Sequence, residues 1–264
     1  MMSLENLVIN ENNIEISNPF IEGIIASIIA SVFVYLFQFT TNKINHFFVN
    51  KRFKNIFGHL NKHPIYLVIP ELKIRNDILD LVKNSFLPDL DHFYNNQEGN
   101  NISSERIFPF TDTKSLIYIL GIIAKNSNFH SYKVQSSNEL NNKLDISFIS
   151  FGGSTFYSKY LLNDEINSYF NIKNNSIEVK GKEEAVYKID SKNDFGIIIK
   201  VIPKNFPNRI WIVIAGIGES GTSGASWYFR KHWKSLSKTH RNNPFGIIVK
   251  VNNGIDESAI QVYP

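Results

Sequence analysis

RIWIVIAGIGESGTSGASWYFRKHW, Arg209 to Trp233, changes character twice within a few residues. Ile210 to Ala215 is an unbroken apolar run, as expected of a strand buried on both faces. Gly216-Ile217-Gly218-Glu219-Ser220-Gly221-Thr222-Ser223-Gly224 follows, and a helical pattern rich in aromatic residues comes after it. Strand, glycine turn, helix is a building unit of α/β folds. Glycines let the backbone approach a ligand closely, and the N–H groups at the positive end of the next helix favour an anion such as phosphate. Gly216, Gly218, Glu219, Ser220, Gly221, Thr222 and Ser223 are therefore candidate ligand-binding residues. The same glycines also fit a purely structural role, close packing of helix on strand.

Working back along the chain, IYLVIP (Ile65 to Pro70) and LDISFIS (Leu144 to Ser150) read as further buried strands. LDISFIS leads into Phe151-Gly152-Gly153-Ser154-Thr155 and a helical FYSKYLLNDEINSYF. Thr111-Asp112-Thr113 carries an N-cap signature ahead of the apolar helix SLIYILGIIAK. In an open α/β sheet such turns share one edge, where ligands bind outside the carboxyl ends of the strands. Thr111, Asp112, Gly152, Gly153, Ser154 and Thr155 thus join the candidate set.

Ile74 to Phe86 has helical spacing, and Asp91 to Glu105 is polar and Asn-rich, as a surface loop would be. Residues 171–192 read as an exposed hairpin at a sheet edge. FGIIIKV (Phe195 to Val201) is echoed by NPFGIIVKVNNG (Asn242 to Gly254), a hint of a small duplication, and AIQVYP closes the chain as a last strand.

The N-terminal part has a different composition. Phe20 to Phe39, FIEGIIASIIASVFVYLFQF, is apolar apart from Glu22, Ser27, Ser31 and Gln38. Roughly 20 such residues cross a bilayer as a helix, so residues 19–41 read as one transmembrane helix behind an external tail, residues 1–18. Glu5, Glu11 and Glu15 precede it, whereas Lys43, Lys51, Arg52, Lys54 and Lys62 follow. The positive-inside rule then puts the N-terminus outside and the C-terminal domain, residues 63–264, in the cytoplasm, at an inner membrane. Residues 42–62 mix Phe47, Phe48, Phe53 and Phe57 with cations, a juxtamembrane helix with Gly58 as its stop. Gly23, Ser27 and Ser31 are spaced at four, as are Ala26 and Ala30, the small-xxx-small pattern of associating membrane helices, with Glu22 beside it. A homo-oligomer in the lipid bilayer is expected.

The net charge of +4 gives little reason to expect nucleic-acid binding, and the absence of cysteine excludes disulfides and thiolate chemistry. His130, His232 and His240 are scattered, and His59 with His63 suits a headgroup-facing pair better than a metal site, so no metal or cofactor is expected. No nucleophile elbow or P-loop lysine is present. The acidic ribose-binding residue expected about 20 positions beyond a dinucleotide fingerprint is replaced by His240, Arg241 and Asn242.

One N-terminal span, a Rossmann-like α/β sandwich with a mostly parallel or mixed sheet, and the turn Gly216 to Gly224 together resemble membrane-anchored bacterial defence effectors with CARF-type or SLOG-type sensor domains. The resemblance implies a nucleotide-type second messenger bound at the turns, an oligomerising transmembrane helix that disrupts or depolarises the membrane, and a role in antiviral defence. The alternative is an anchored enzyme processing a nucleotide or NAD, using Glu219, Asp112 or Asp145.

Overall fold

The computed structural model describes residues 19–60, 62–71, 108–127, 131–163, 169–173, 175–182 and 186–264, with the backbone alone for 19–26 and 163. The external tail, Ile74 to Phe86, and Asp91 to Glu105 lie outside the described residues, as do the side chains of Glu22, Gly23 and Ala26. By its contacts the chain divides into two units, residues 1–49 and 50–264.

In the first unit, helix α1 (Pro19–Phe57) begins. Ile28, Val32, Phe33, Leu36 and Phe37 are all exposed, so apolar side chains stand on every side of it. Some of its hydroxyls return to the helix itself: Ser31 donates to the Ser27 carbonyl at 2.8 Å, and Thr41 to that of Phe37 at 2.9 Å. A shallow depression along it is lined by Ser27, Ile28, Ser31, Val32 and Tyr35. Among the described residues no helix is long and apolar enough to cross a membrane. The run Phe20 to Phe39 begins among residues whose side chains lie outside that description.

The second unit is α/β. Its strands are β1 (Ile65–Ile69), β2 (Tyr132–Ser136), β3 (Ser147–Phe151), β4 (Phe170–Lys173), β5 (Ser176–Val179), β6 (Val186–Lys188), β7 (Asn193–Val201), β8 (Trp211–Gly216), β9 (Phe245–Asn252) and β10 (Ile255–Tyr263). Helices α2 (Phe110–Asn126), α3 (Phe156–Asn163) and α4 (Glu219–His240) complete it. The main sheet has the order β10-β9-β7-β8-β3-β1-β2. β2, β1, β3 and β8 run parallel, whereas β8-β7-β9-β10 is antiparallel throughout.

Side chains alternate between the two faces of the sheet. Val68, Phe148, Ile197, Ile199 and Val213 pack with Tyr157 and Leu161 of α3 and with Phe170 and Ile177 of the small sheet β4-β5-β6. The opposite face carries α4, with α2 against it. The last turns of α1 join them there: Phe57 meets the Phe229 ring edge-on at 5.9 Å, and Phe53 meets Trp233 at 6.1 Å. Ser237 donates to the Arg52 carbonyl at 2.9 Å. The helix stops at Gly58, whose φ is +79°.

Lys200 of β7 is fully buried on this face, and its ammonium donates to the Asn55 carbonyl, one of the acceptors left open where α1 ends. Burial pushes its pKa down to about 8.

Several expectations change. The Phe195 to Val201 and Asn242 to Gly254 segments are antiparallel neighbours buried in one sheet, with Ile198 beside Ile247. The supposed edge hairpin is part of a separate three-stranded sheet that begins at Phe170, and its Ile177 is fully buried. Because Phe170 is already in a strand, FYSKYLLNDEINSYF is not one helix. α2 starts at Phe110 with Pro109 in the cap position, so Thr111-Asp112-Thr113 forms its first turn and not its cap.

α4 sits unusually close to β7. A Cβ on Gly196 would lie 2.1 Å from the Gly221 carbonyl oxygen, and one on Gly221 would lie 2.3 Å from that of Phe195. Both obstacles are backbone, so Gly196→Ala is expected to cost at least about 3 kcal/mol in urea unfolding. Gly121, in mid-α2 with open space where its Cβ would go, is the contrast. Gly121→Ala is expected to stabilise by about 0.5–1 kcal/mol in the same measurement.

Candidate functional site

β3 and β8 are adjacent and parallel, with Phe151 beside Ile214, so the two glycine turns leave the same edge side by side. α2 brings the third turn to them: the Asp112 carboxylate lies 2.8 Å from where a Gly152 Cβ would stand. Gly152 has φ +72°, so glycine is favoured there on both counts. Thr111, Asp112 and the residues from Gly152 to Thr155 are thus gathered at the carboxyl edge, next to the loop from Gly216 to Ser223.

The Gly216 loop is held by the protein itself. Asp194, 1% exposed at the start of β7, accepts from Gly218 N–H at 3.0 Å, Gly221 N–H at 2.6 Å and Phe195 N–H at 2.6 Å. A carboxylate therefore stands at the N-terminus of α4 where a bound phosphate would be drawn. The loop hydroxyls are engaged as well. Thr222 accepts from Gly216 N–H at 2.9 Å, Ser220 accepts from Gly254 N–H at 2.9 Å, and Ser223 donates to Asp256 at 2.7 Å. Glu219 is exposed at the first position of α4, where the helix dipole favours an acid.

Asp256 ties three elements together. Besides Ser223 of α4 it receives the Tyr118 hydroxyl at 2.9 Å and the Lys114 ammonium at 2.6 Å, both from α2. Burial first, and the hydrogen bond to Asp256 second, push the Tyr118 phenol up to about 12. Sequence reasoning missed Asp194 and Asp256, whose partners lie dozens of positions away.

At the second turn, Thr155 caps α3 by accepting from Ser158 N–H at 2.9 Å, and its hydroxyl lies 2.5 Å from that of Ser150. Ser137, just past β2, accepts from Phe156 N–H at 3.2 Å. Gly153 and Ser154 remain exposed, and a Cβ on Gly153 would meet nothing. α2 has no side-chain cap. Asp112 in its first turn is 7% exposed, and burial pushes its carboxyl up to about 6, with no hydrogen bond or cation among the described residues to offset it.

Among the described residues of this edge, Gly153 and Ser154 are exposed and Thr111 is half-buried, while Asp112, Gly152 and Thr155 are buried. Asp145 lies at the opposite end of β3, exposed and held below the usual carboxylate range by Arg209 at 2.8 Å. Among the described residues no group of three His, Cys, Asp or Glu is placed to hold a metal ion. Trp211 and Trp233 are buried in packing, and Trp227 lies under Lys231 at 4.7 Å. The chain matches no protein-family model and no curated protein.

Removing the Asp194 carboxylate leaves buried N–H groups without an acceptor, so Asp194→Ala is expected to cost about 3 kcal/mol or more in urea unfolding. Glu219→Gln is expected to stay within about 0.5 kcal/mol.

Asp112 has the opposite sign. Its folded pKa, about 6, lies above the ordinary 3.8, so the fold holds a proton through that window and loses stability as pH rises across it. Asp112→Asn is expected to raise stability at pH 8 by an amount on the order of 2–3 kcal/mol. The advantage should vanish below about pH 4, which thermal unfolding at several pH values reads directly.

Proposed function

We propose that this chain is a single-pass membrane protein whose Rossmann-like domain binds a nucleotide-type ligand at the carboxyl edge and transmits binding to α1. The observation that carries the reading is the course of α4. This helix of 22 residues, about 33 Å long, begins at the edge that holds the candidate turns. Its later turns, Phe229, Trp233 and Ser237, are packed on the end of α1. A ligand seated at the Gly153–Ser154 turn against the first turn of α2 reaches α4 through Lys114 and Tyr118, which meet Asp256 beside Ser223, and the far end of α4 touches the helix bearing the apolar run.

The membrane part of the reading is supported by Phe20 to Phe39 as a sequence, by the exposure of its large apolar side chains from Ile28 onward, and by hydroxyls that return to their own helix. Charge asymmetry favours an inner-membrane protein with its N-terminus outside and its domain in the cytoplasm. The output is oligomerisation through the face bearing Gly23, Ser27 and Ser31, which disrupts or depolarises the bilayer in the manner of a defence effector. An enzyme acting on a nucleotide or NAD is the second reading, favoured by Asp112, a carboxyl beside the Gly152 turn that burial pushes up to about 6, the range that suits acid–base work.

Three measurements test this. The full chain should stay in the pellet after a carbonate wash of membranes. A bound nucleotide at 100 times its Kd should stabilise the purified protein by about 2.7 kcal/mol in thermal shift. Ser27→Leu should insert normally while losing most crosslinked oligomer and most depolarisation. Release by carbonate, or a Ser27→Leu variant that crosslinks and depolarises like wild type, sinks the proposal; turnover of a nucleotide abolished in Asp112→Asn replaces it with the enzyme.

A further inference from the structure

The end of the main sheet opposite the candidate turns gathers positive charge. There β1, β3 and β8 begin, β7 finishes with Val201 beside Trp211, and β9 starts with Phe245 beside Lys200. Stretches far apart in the chain meet at this end. Residues 50–60 and 62–64 bring the last turns of α1 and the approach to β1, and a Cβ on Gly58 would lie 3.0 Å from Ile210. Residues 202–210 join β7 to β8, and residues 143–146 lead into β3, with Arg209 holding Asp145 at 2.8 Å. Residues 237–244 close α4 and enter β9, tied to α1 by the Ser237 bond to the Arg52 carbonyl.

These stretches carry nine Lys or Arg and one carboxylate side chain, a formal +8 in a chain whose total is +4, so the rest of the sequence is net acidic. α1 supplies Lys51, Arg52 and Lys54, and Lys62 follows it. Lys204 and Arg209 come from the β7–β8 connection, Lys238 and Arg241 from the end of α4, and Lys143 from the approach to β3. All are exposed except Arg52 and Arg209, which are half-buried. Asp145 is taken by Arg209, and none of the other eight has an ion pair among the described residues. A field of one sign, spread over five segments and not neutralised from within, suits an extended anionic partner.

The route of the chain selects the partner. It enters the second unit at Asn50, next to the first of these cations. Ten residues, 40–49, separate Asn50 from the apolar run, and ten residues span at most about 36 Å. A domain on so short a tether meets the leaflet at an effective concentration on the order of millimolar. Each Lys or Arg brought near an anionic surface then favours the docked arrangement by roughly fivefold.

We infer that this end of the domain docks on the anionic lipid headgroups of the membrane that anchors it. The inference rests on the membrane reading above and adds an orientation to it: the candidate turns, at the other edge of the sheet, face away from the bilayer and toward the cytoplasm.

The test uses the full chain reconstituted in vesicles of POPC alone or with about one-third POPG, each carrying a dansyl-labelled lipid. Trp211, Trp227 and Trp233 are the only tryptophans and all belong to the second unit, so energy transfer from them to dansyl reads how close the domain sits to the bilayer. Transfer is expected to be about twofold higher or more with POPG, and to fall to the POPC level in about 1 M NaCl, where the Debye length is about 3 Å. Lys204→Glu combined with Lys238→Glu, both exposed and far along the chain from the span, should remove most of the POPG-dependent gain. Lys188→Glu combined with Lys192→Glu, an equal change of charge just ahead of β7 at the other edge, should keep it. Equal transfer in both lipids, or the same loss from both double variants, overturns the inference and leaves the single-pass reading standing. If the chain in micelles then binds a short DNA duplex that the Lys204→Glu, Lys238→Glu variant does not, the surface belongs to nucleic acid instead. Carbonate release of wild type from the vesicles overturns the inference and the membrane reading together.

Discussion

One buried carboxylate seats α4, a helix of 22 residues. Asp194 gathers N–H groups from both sides of the Gly216 loop, and these bonds hold the first turn of α4 onto β7. The contact is so close that backbone meets backbone, with Gly196 facing Gly221 and no space for a side chain between them. Charge-assisted hydrogen bonds and the absence of two Cβ atoms therefore act together. Loss of either would lift α4 from the sheet and, with it, what rests on α4.

What rests on α4 is most of that face. Asp256 joins it to α2 through Ser223 on one side and through Tyr118 and Lys114 on the other. Phe229 and Trp233 carry the end of α1. α2 in turn places Asp112 against Gly152. The position of the Asp112 carboxylate against Gly152 thus descends, through two helices, from the hydrogen bonds made by Asp194.

The sequence made the interior strands legible because burial on both faces writes itself as continuous apolar runs: IYLVI, SFISF and WIVIAG were each located within a few residues. β2 was not, since YKVQS lies at an edge and has two residues open to solvent. The glycine turn was found as a motif, but its meaning depended on Asp194, which is 24 and 27 positions from the N–H groups it serves. No local pattern encodes such a partner. The start of α2 differs for a similar reason: Thr111 and Asp112 look like caps, yet Pro109 takes the cap position and Asp112 lies buried in the first turn. That glycine-rich turns share an edge followed from the α/β pattern, while their adjacency required the strand order.

Lys200 gives the joint between α1 and the domain an opposing bias. Apolar contact holds the last turns of the helix down, yet an ammonium is sealed beneath them with a pKa near 8 instead of 10.5. At neutral pH that charge is present in either arrangement, and only an undocked one returns it to water. The penalty is complete below about pH 8 and disappears as pH rises past 10.5, so it operates throughout the physiological range. The contact of α4 with Phe53 and Phe57 is accordingly weaker than its aromatic packing alone would make it, by the cost of sealing one charged lysine beneath it.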